Sequence, residues 1–94
     1  MTKDQMKQKT NEMLQALKAV GDIITVRGKS YEFARFGSIS ATAKGGRGAE
    51  YTFMTCPRAK VIGRPDAFVI SILRGPRVIC DFGLEAGQIL ELGR

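Results

Sequence analysis

Ninety-four residues make one domain with a modest core, since folding at this size hides roughly 60–65% of the unfolded chain's surface. An apolar fraction of 44% against 26% charged excludes wholesale disorder. Fifteen Lys and Arg against nine Asp and Glu give a net charge of +6, and the lack of histidine removes the commonest general base, the histidine-dependent triads and the usual zinc spacings.

Residues 3–20 read as one amphipathic helix. Met6, Thr10, Met13, Leu14, Leu17 and Val20 recur at helical spacing and share one face. Thr2 and Gln5 form a capping-box pattern, Asp4 suits the positive end of the helix dipole, and Gly21 suits the stop. Lys3, Lys7 and Lys18 flank the apolar stripe. That stripe needs a cover, which a sheet in the same chain provides; a homodimer partner is the alternative.

From residue 22 the apolar period changes to two. Ile23 to Val26 predicts a first strand, Arg27-Gly28-Lys29 a tight turn, and Tyr31 and Phe33 a second strand in alternation with Ser30, Glu32 and Ala34. Gly37 interrupts the pattern as either a turn or a β-bulge before Ile39, Ala41 and Ala43 resume it. The Lys44–Gly48 loop separates that strand from one carrying Tyr51 and Phe53, which Pro57 closes. Residues 57–66 are irregular, with a short edge segment at Lys60 to Ile62. Ala67 to Leu73 is apolar at nearly every position, the mark of a strand covered on both faces. Arg74-Gly75-Pro76-Arg77 turns the chain into a hairpin partner from Val78 to Phe82, and Ile89 to Leu92 is a last strand or a helical turn.

The predicted class is α+β: a helix over residues 1–21 packed on a five- to six-stranded antiparallel meander over 22–94, with enough twist to curl into a partly open barrel. The charged, polar N-terminus does not read as a secretory signal, and no apolar run approaches the ~20 residues of a membrane span. These features predict a cytoplasmic protein that neither leaves the cell nor spans a membrane. Cys56 and Cys80 fall in apolar strand runs, which predicts two buried thiols; a disulfide between neighbouring strands is the alternative.

No paired carboxylates, activated nucleophile or metal-ligand cluster is legible, so the expectation is a non-enzyme without cofactor or metal. The turns are better supplied with chemistry. Residues 27–77 carry ten bases against three acids, while the segments before and after carry net charges of +1 and −2. Arg27, Lys29, Lys44, Arg47, Arg58, Lys60, Arg64, Arg74 and Arg77 sit in turns beside Gly, Pro or Ala, where arginine offers a planar fork to phosphate and glycine lets the main chain approach it. Arg35 joins them, in register with Tyr31 and Phe33. If Gly37 is a turn, the tips at 27–29, 44–48 and 74–77 leave one end of the meander and 57–65 the other. If it is a bulge, the tips divide differently, but Lys44, Arg47, Arg74 and Arg77 still share an end.

Tyr31, Phe33, Tyr51 and Phe53 on adjacent strands read either as a floor for the helix or as a base-stacking surface. The functional expectation is a small nucleic-acid-binding protein, DNA or RNA, that grips phosphates through basic turns in an accessory or regulatory role. The alternative is an interaction module, acting as adaptor, subunit or inhibitor, that docks a basic face on an acidic protein.

Overall fold

A computed structural model describes residues 3–56, 68–85 and 87–92. Helix α1 (Lys3–Val20) leads into strands β1 (Ile23–Val26), β2 (Lys29–Phe36), β3 (Ser40–Lys44), β4 (Glu50–Thr55), β5 (Phe68–Arg74), β6 (Arg77–Glu85) and β7 (Gln88–Glu91). Each strand pairs antiparallel with the next, so spatial order follows chain order, and the sheet is nearly closed into a barrel. The seventh strand is the Ile89–Leu92 run, too short for periodicity to classify.

The turns follow from their residues. Arg27 and Gly28, at φ +53° and +77°, make a two-residue turn of the kind that matches strand twist. Gly75 at φ +62° followed by Pro76 makes the other common two-residue form. Gly37 belongs to a true turn, with its N–H donating to the Ser40 carbonyl at 2.8 Å. The bulge lies at Ala34 instead: Phe33 opposes Ala43 while Arg35 opposes Thr42, leaving one extra residue on β2. A second irregularity at Ile79 lets Cys80 oppose Ile72 while Val78 opposes Leu73.

One face of the curled sheet carries Ile24, Val26, Tyr31, Ala41, Ala43, Phe53, Ile70, Ile72, Cys80, Phe82 and Leu84, all buried. The helix lies on this concave side against β3 and β4, where the small Ala41 and Ala43 leave room for it. Thr55 Oγ1 stands 3.4 Å from Thr10 Oγ1 and donates to Met13 Sδ at 3.3 Å, and Lys18 Nζ sits 5.1 Å from the centre of the Phe36 ring. Met13, Leu14 and Leu17 are buried, each worth roughly 1.5–3 kcal/mol by area. Met6 is exposed, so the working stripe begins at Thr10, one turn later than periodicity suggests. Thr2, half of the proposed capping box, lies outside the described residues, as does the Lys60–Ile62 segment.

Strand β5 is buried on both faces through Val69, Ile70, Ser71 and Ile72, as its composition predicts. Its one buried polar residue is satisfied across the ladder: Ser71 Oγ donates to Asp81 Oδ1 at 2.6 Å. The two cysteines are free; Cys80 is buried, while Cys56 is only half-buried and lies just past the end of β4. No helix among the described residues is long and apolar enough to cross a membrane.

Gly45 is fixed by packing. A Cβ there would stand 2.5 Å from Tyr51 Cε2, so the tyrosine ring lies on the glycine backbone. Gly45→Ala is expected to lower stability by about 1–3 kcal/mol, through displacement of Tyr51 and the rings behind it. Urea unfolding followed by tyrosine fluorescence measures the loss.

Candidate nucleic-acid interface

Strict reversal at every connection sorts the turns into two ends. The β1–β2, β3–β4 and β5–β6 turns and the end of β7 share one end, here called the rim. The β2–β3 turn, the start of β1 and the end of α1 belong to the other. Because Gly37 is a turn, the three basic tips at 27–29, 44–48 and 74–77 gather at the rim. Arg58, Lys60 and Arg64 fall outside the described residues.

The rim bases differ in what already holds them. Arg74 and Arg77 are exposed and directly opposite one another at the end of the β5–β6 hairpin. Like charges in that position destabilise a ladder by a few tenths of a kcal/mol to about 1 kcal/mol, a cost that an anion bound between them would relieve. Alternation places them on the side of the sheet that carries Ile72 and Cys80 deeper in, and Lys29 likewise shares a side with Tyr31. All three therefore border the barrel mouth.

Arg47 sits in the single 3-10 turn Gly46–Gly48, which packs against β2. Its backbone is left-handed, at φ +63° and ψ +20°, a region that costs a residue with a Cβ about 1 kcal/mol or more. Its side chain is exposed, with no partner among the described residues. Lys44 stands across the ladder from Glu32 on one side and Glu50 on the other, all three exposed on the outer wall, so two nearby carboxylates weaken the positive field there although neither forms an ion pair with it.

Arg27 is committed elsewhere. Its backbone N–H donates to Glu91 Oε1 at 3.2 Å and its guanidinium to the Leu92 carbonyl, which ties the first hairpin to the last strand. The sequence offers no sign of this contact, because the partners lie more than sixty positions apart. Arg35 is also removed from the cluster. The bulge at Ala34 turns it to the outer wall opposite Thr42 and brings Phe36 inward, so it does not share a side with Tyr31 and Phe33 as simple alternation implies.

The aromatic residues form a floor, two of them closed to any base. Tyr31 and Phe53 are buried, and Tyr51 and Phe33 are half-buried against them. Tyr31 meets Tyr51 edge-on at 5.1 Å and Phe53 at 5.4 Å, and Phe33 meets Phe53 at 5.1 Å. Tyr31 and Phe53 have no face left for a base. Burial, and after it the neighbouring Tyr51 and Cys80, raise the Tyr31 hydroxyl pKa above its ordinary value.

Among the described residues no group of three or more Cys, Asp or Glu is placed to hold a metal ion. No protein-family model matches the chain, and no curated protein or solved structure resembles it.

Two outcomes follow from this geometry. Arg47→Gly is expected to raise stability by about 1 kcal/mol, since glycine takes the left-handed backbone without a Cβ; the shift in urea midpoint measures it. For Tyr31, the folded-state pKa lies above the unfolded value of 10.0, so its contribution is full below pH 10.0 and is lost as pH rises through the folded value. Tyr31→Phe should flatten that alkaline loss in thermal melts recorded between neutral and strongly basic pH.

Proposed function

We propose that the protein binds nucleic acid as a non-catalytic accessory or regulatory factor, gripping the phosphate backbone at the basic rim. The observation that carries this reading is the gathering of Lys29, Arg47, Arg74 and Arg77 at one end of the barrel, with Arg74 and Arg77 directly opposed. Two features of that end work against folding stability: a like-charge pair and an arginine in a left-handed turn. An anionic ligand gives both a use. Recognition runs through phosphate rather than base, because the buried rings cannot stack on a nucleotide and α1, the one α-helix among the described residues, is spent covering the core.

The test is titration against labelled single-stranded DNA, duplex DNA and RNA over a range of salt concentrations. Affinity should fall steeply with salt. The combined Arg47→Ala, Arg74→Ala and Arg77→Ala variant should bind far more weakly and lower the slope of log K against log salt by about 2–3, one step for each lost phosphate contact. Lys44→Ala should have a smaller effect, its charge being offset by Glu32 and Glu50. The triple variant should be at least as stable as the parent in urea, because it removes the like-charge pair at Arg74 and Arg77. If none of the three nucleic acids binds even at ~50 mM salt, where phosphate contacts are strongest, the rim serves an acidic protein surface instead.

A further inference from the structure

Among the described residues the sheet has seven strands, an odd number, and its first and last strands share no ladder. Every connection reverses direction, so β1 and β7 both run toward the rim. Two strands that run the same way cannot close by the antiparallel ladder that joins all the others, and none joins these two.

The register shows which main-chain groups face the seam. The two-residue turn at Arg27-Gly28 makes Val26 and Lys29 a hydrogen-bonded pair, so Ile24 and Asp22 also direct their main-chain groups toward β2. The bond from Phe33 N–H to the Asp22 carbonyl, at 2.9 Å, agrees. The groups of Ile23, Thr25 and Arg27 therefore point to the seam. By the same alternation, counted from Glu85 opposite Gln88, those of Ile89 and Glu91 point to it from the other side.

At the rim end the seam is held by substitutes. The Arg27 N–H, which in a closed barrel would go to a strand carbonyl, goes to the Glu91 carboxylate, and the Leu92 carbonyl accepts from a guanidinium. Side chains stand where the main chain of another strand belongs.

We propose that this seam receives an extended segment of a partner protein as an eighth strand, antiparallel to both β1 and β7. A second copy of this chain fits poorly. Its β2 to β6 are paired on both edges and its β1 and β7 on one, so it has no described strand free to pair on two sides. The chemistry of the segment follows from its place. Residues facing inward would lie beside Ile24, Val26 and Ile89 and so are apolar at alternate positions, except at the rim end, where Glu91 stands on the same side. Running from rim to base, its N-terminal end emerges among the rim cations, which favours acidic residues preceding the apolar alternation. Strands on either side of an inserted one stand about 9.6 Å apart, so seating it displaces Glu91 from the Arg27 N–H and puts a carbonyl in its place. This site is the wall of the barrel: the acidic run draws on the rim cations, while main-chain pairing with β1 and β7 does not rest on the rim reading above.

The experiment uses the full chain labelled with ¹⁵N and a synthetic peptide: a run of Asp and Glu followed by alternating Thr and Val over the length of β1. In the free protein the amides of Ile23, Thr25 and Ile89 should exchange rapidly with solvent while those of Ile24 and Val26 are protected. The peptide should protect the exposed set and shift the Arg27 and Glu91 amides. N-methylating alternate peptide residues should weaken binding at least about tenfold, since each lost main-chain bond is worth about 1 kcal/mol. Replacing the acidic run with Lys should also weaken it. Arg27→Gly keeps the left-handed turn and removes the guanidinium clasp, so it should tighten binding several-fold. Any of four results overturns the proposal: protection of Ile23 and Thr25 in the free monomer, binding indifferent to N-methylation, no binding, or protection that appears only with self-association.

Discussion

The fold depends on the packing of Phe53. This ring, near the middle of β4, is fully buried and meets Phe33 of β2 at 5.1 Å, Tyr31 of β2 at 5.4 Å and Phe82 of β6 at 6.0 Å. Strands β2 and β6 are four places apart in the sheet, about 19 Å if it were flat. One side chain touching both requires the sheet to curl. The bulges at Ala34 and Ile79 supply part of that curvature where it is needed, on the two strands that bend toward Phe53. The concave face so formed is the surface that Met13, Leu14 and Leu17 of the helix close from one side.

Curling an uninterrupted meander has a second effect, on charge. Alternate turns are drawn into a ring, so bases scattered over fifty positions of sequence meet at one mouth. The same curl brings β1 beside β7 with their directions matched, and in place of a ladder the Arg27 N–H and guanidinium reach the Glu91 carboxylate and the Leu92 carbonyl. Charge patch and seam are thus two results of one topology.

Much of this is legible in the sequence, for local reasons. The first strand, Ile23 to Val26, lies between a glycine-containing helix stop and a two-residue turn, and both are set by nearby backbone preferences. Strand β5 declares itself by being apolar on both faces. The extra residue at Ala34 is not legible: an alanine alternates as well as any residue, and the bulge arises from bringing both Phe33 and Phe36 onto the inner side, a tertiary demand. For that reason alternation alone puts Arg35 on the wrong side. Met6 continues the helix stripe in sequence, but the concave face beneath α1 covers it only from Thr10 onward. The rim is legible as a composition, while the differing freedom of its members is not. That Lys44 lies between Glu32 and Glu50 is a property of register across three strands.

Arg27 and Arg47 show how far that freedom differs. They are the two non-glycine residues with left-handed backbone among those described, at φ +53° and +63°, and each carries a comparable strain. At Arg27 the strain is offset inside the molecule: the turn aims an N–H and a guanidinium at the end of β7 and holds the barrel shut at the rim. At Arg47 no described residue offsets it. A glycine would serve the turn better, as its neighbour Gly48 at φ +73° illustrates, and only the guanidinium distinguishes the residue that stands there. The same reasoning applies to Arg74 and Arg77, where an uncharged pair would make a better ladder. Among the described residues the fold gives these side chains no use and would be more stable without them; the proposed phosphate contacts would supply one.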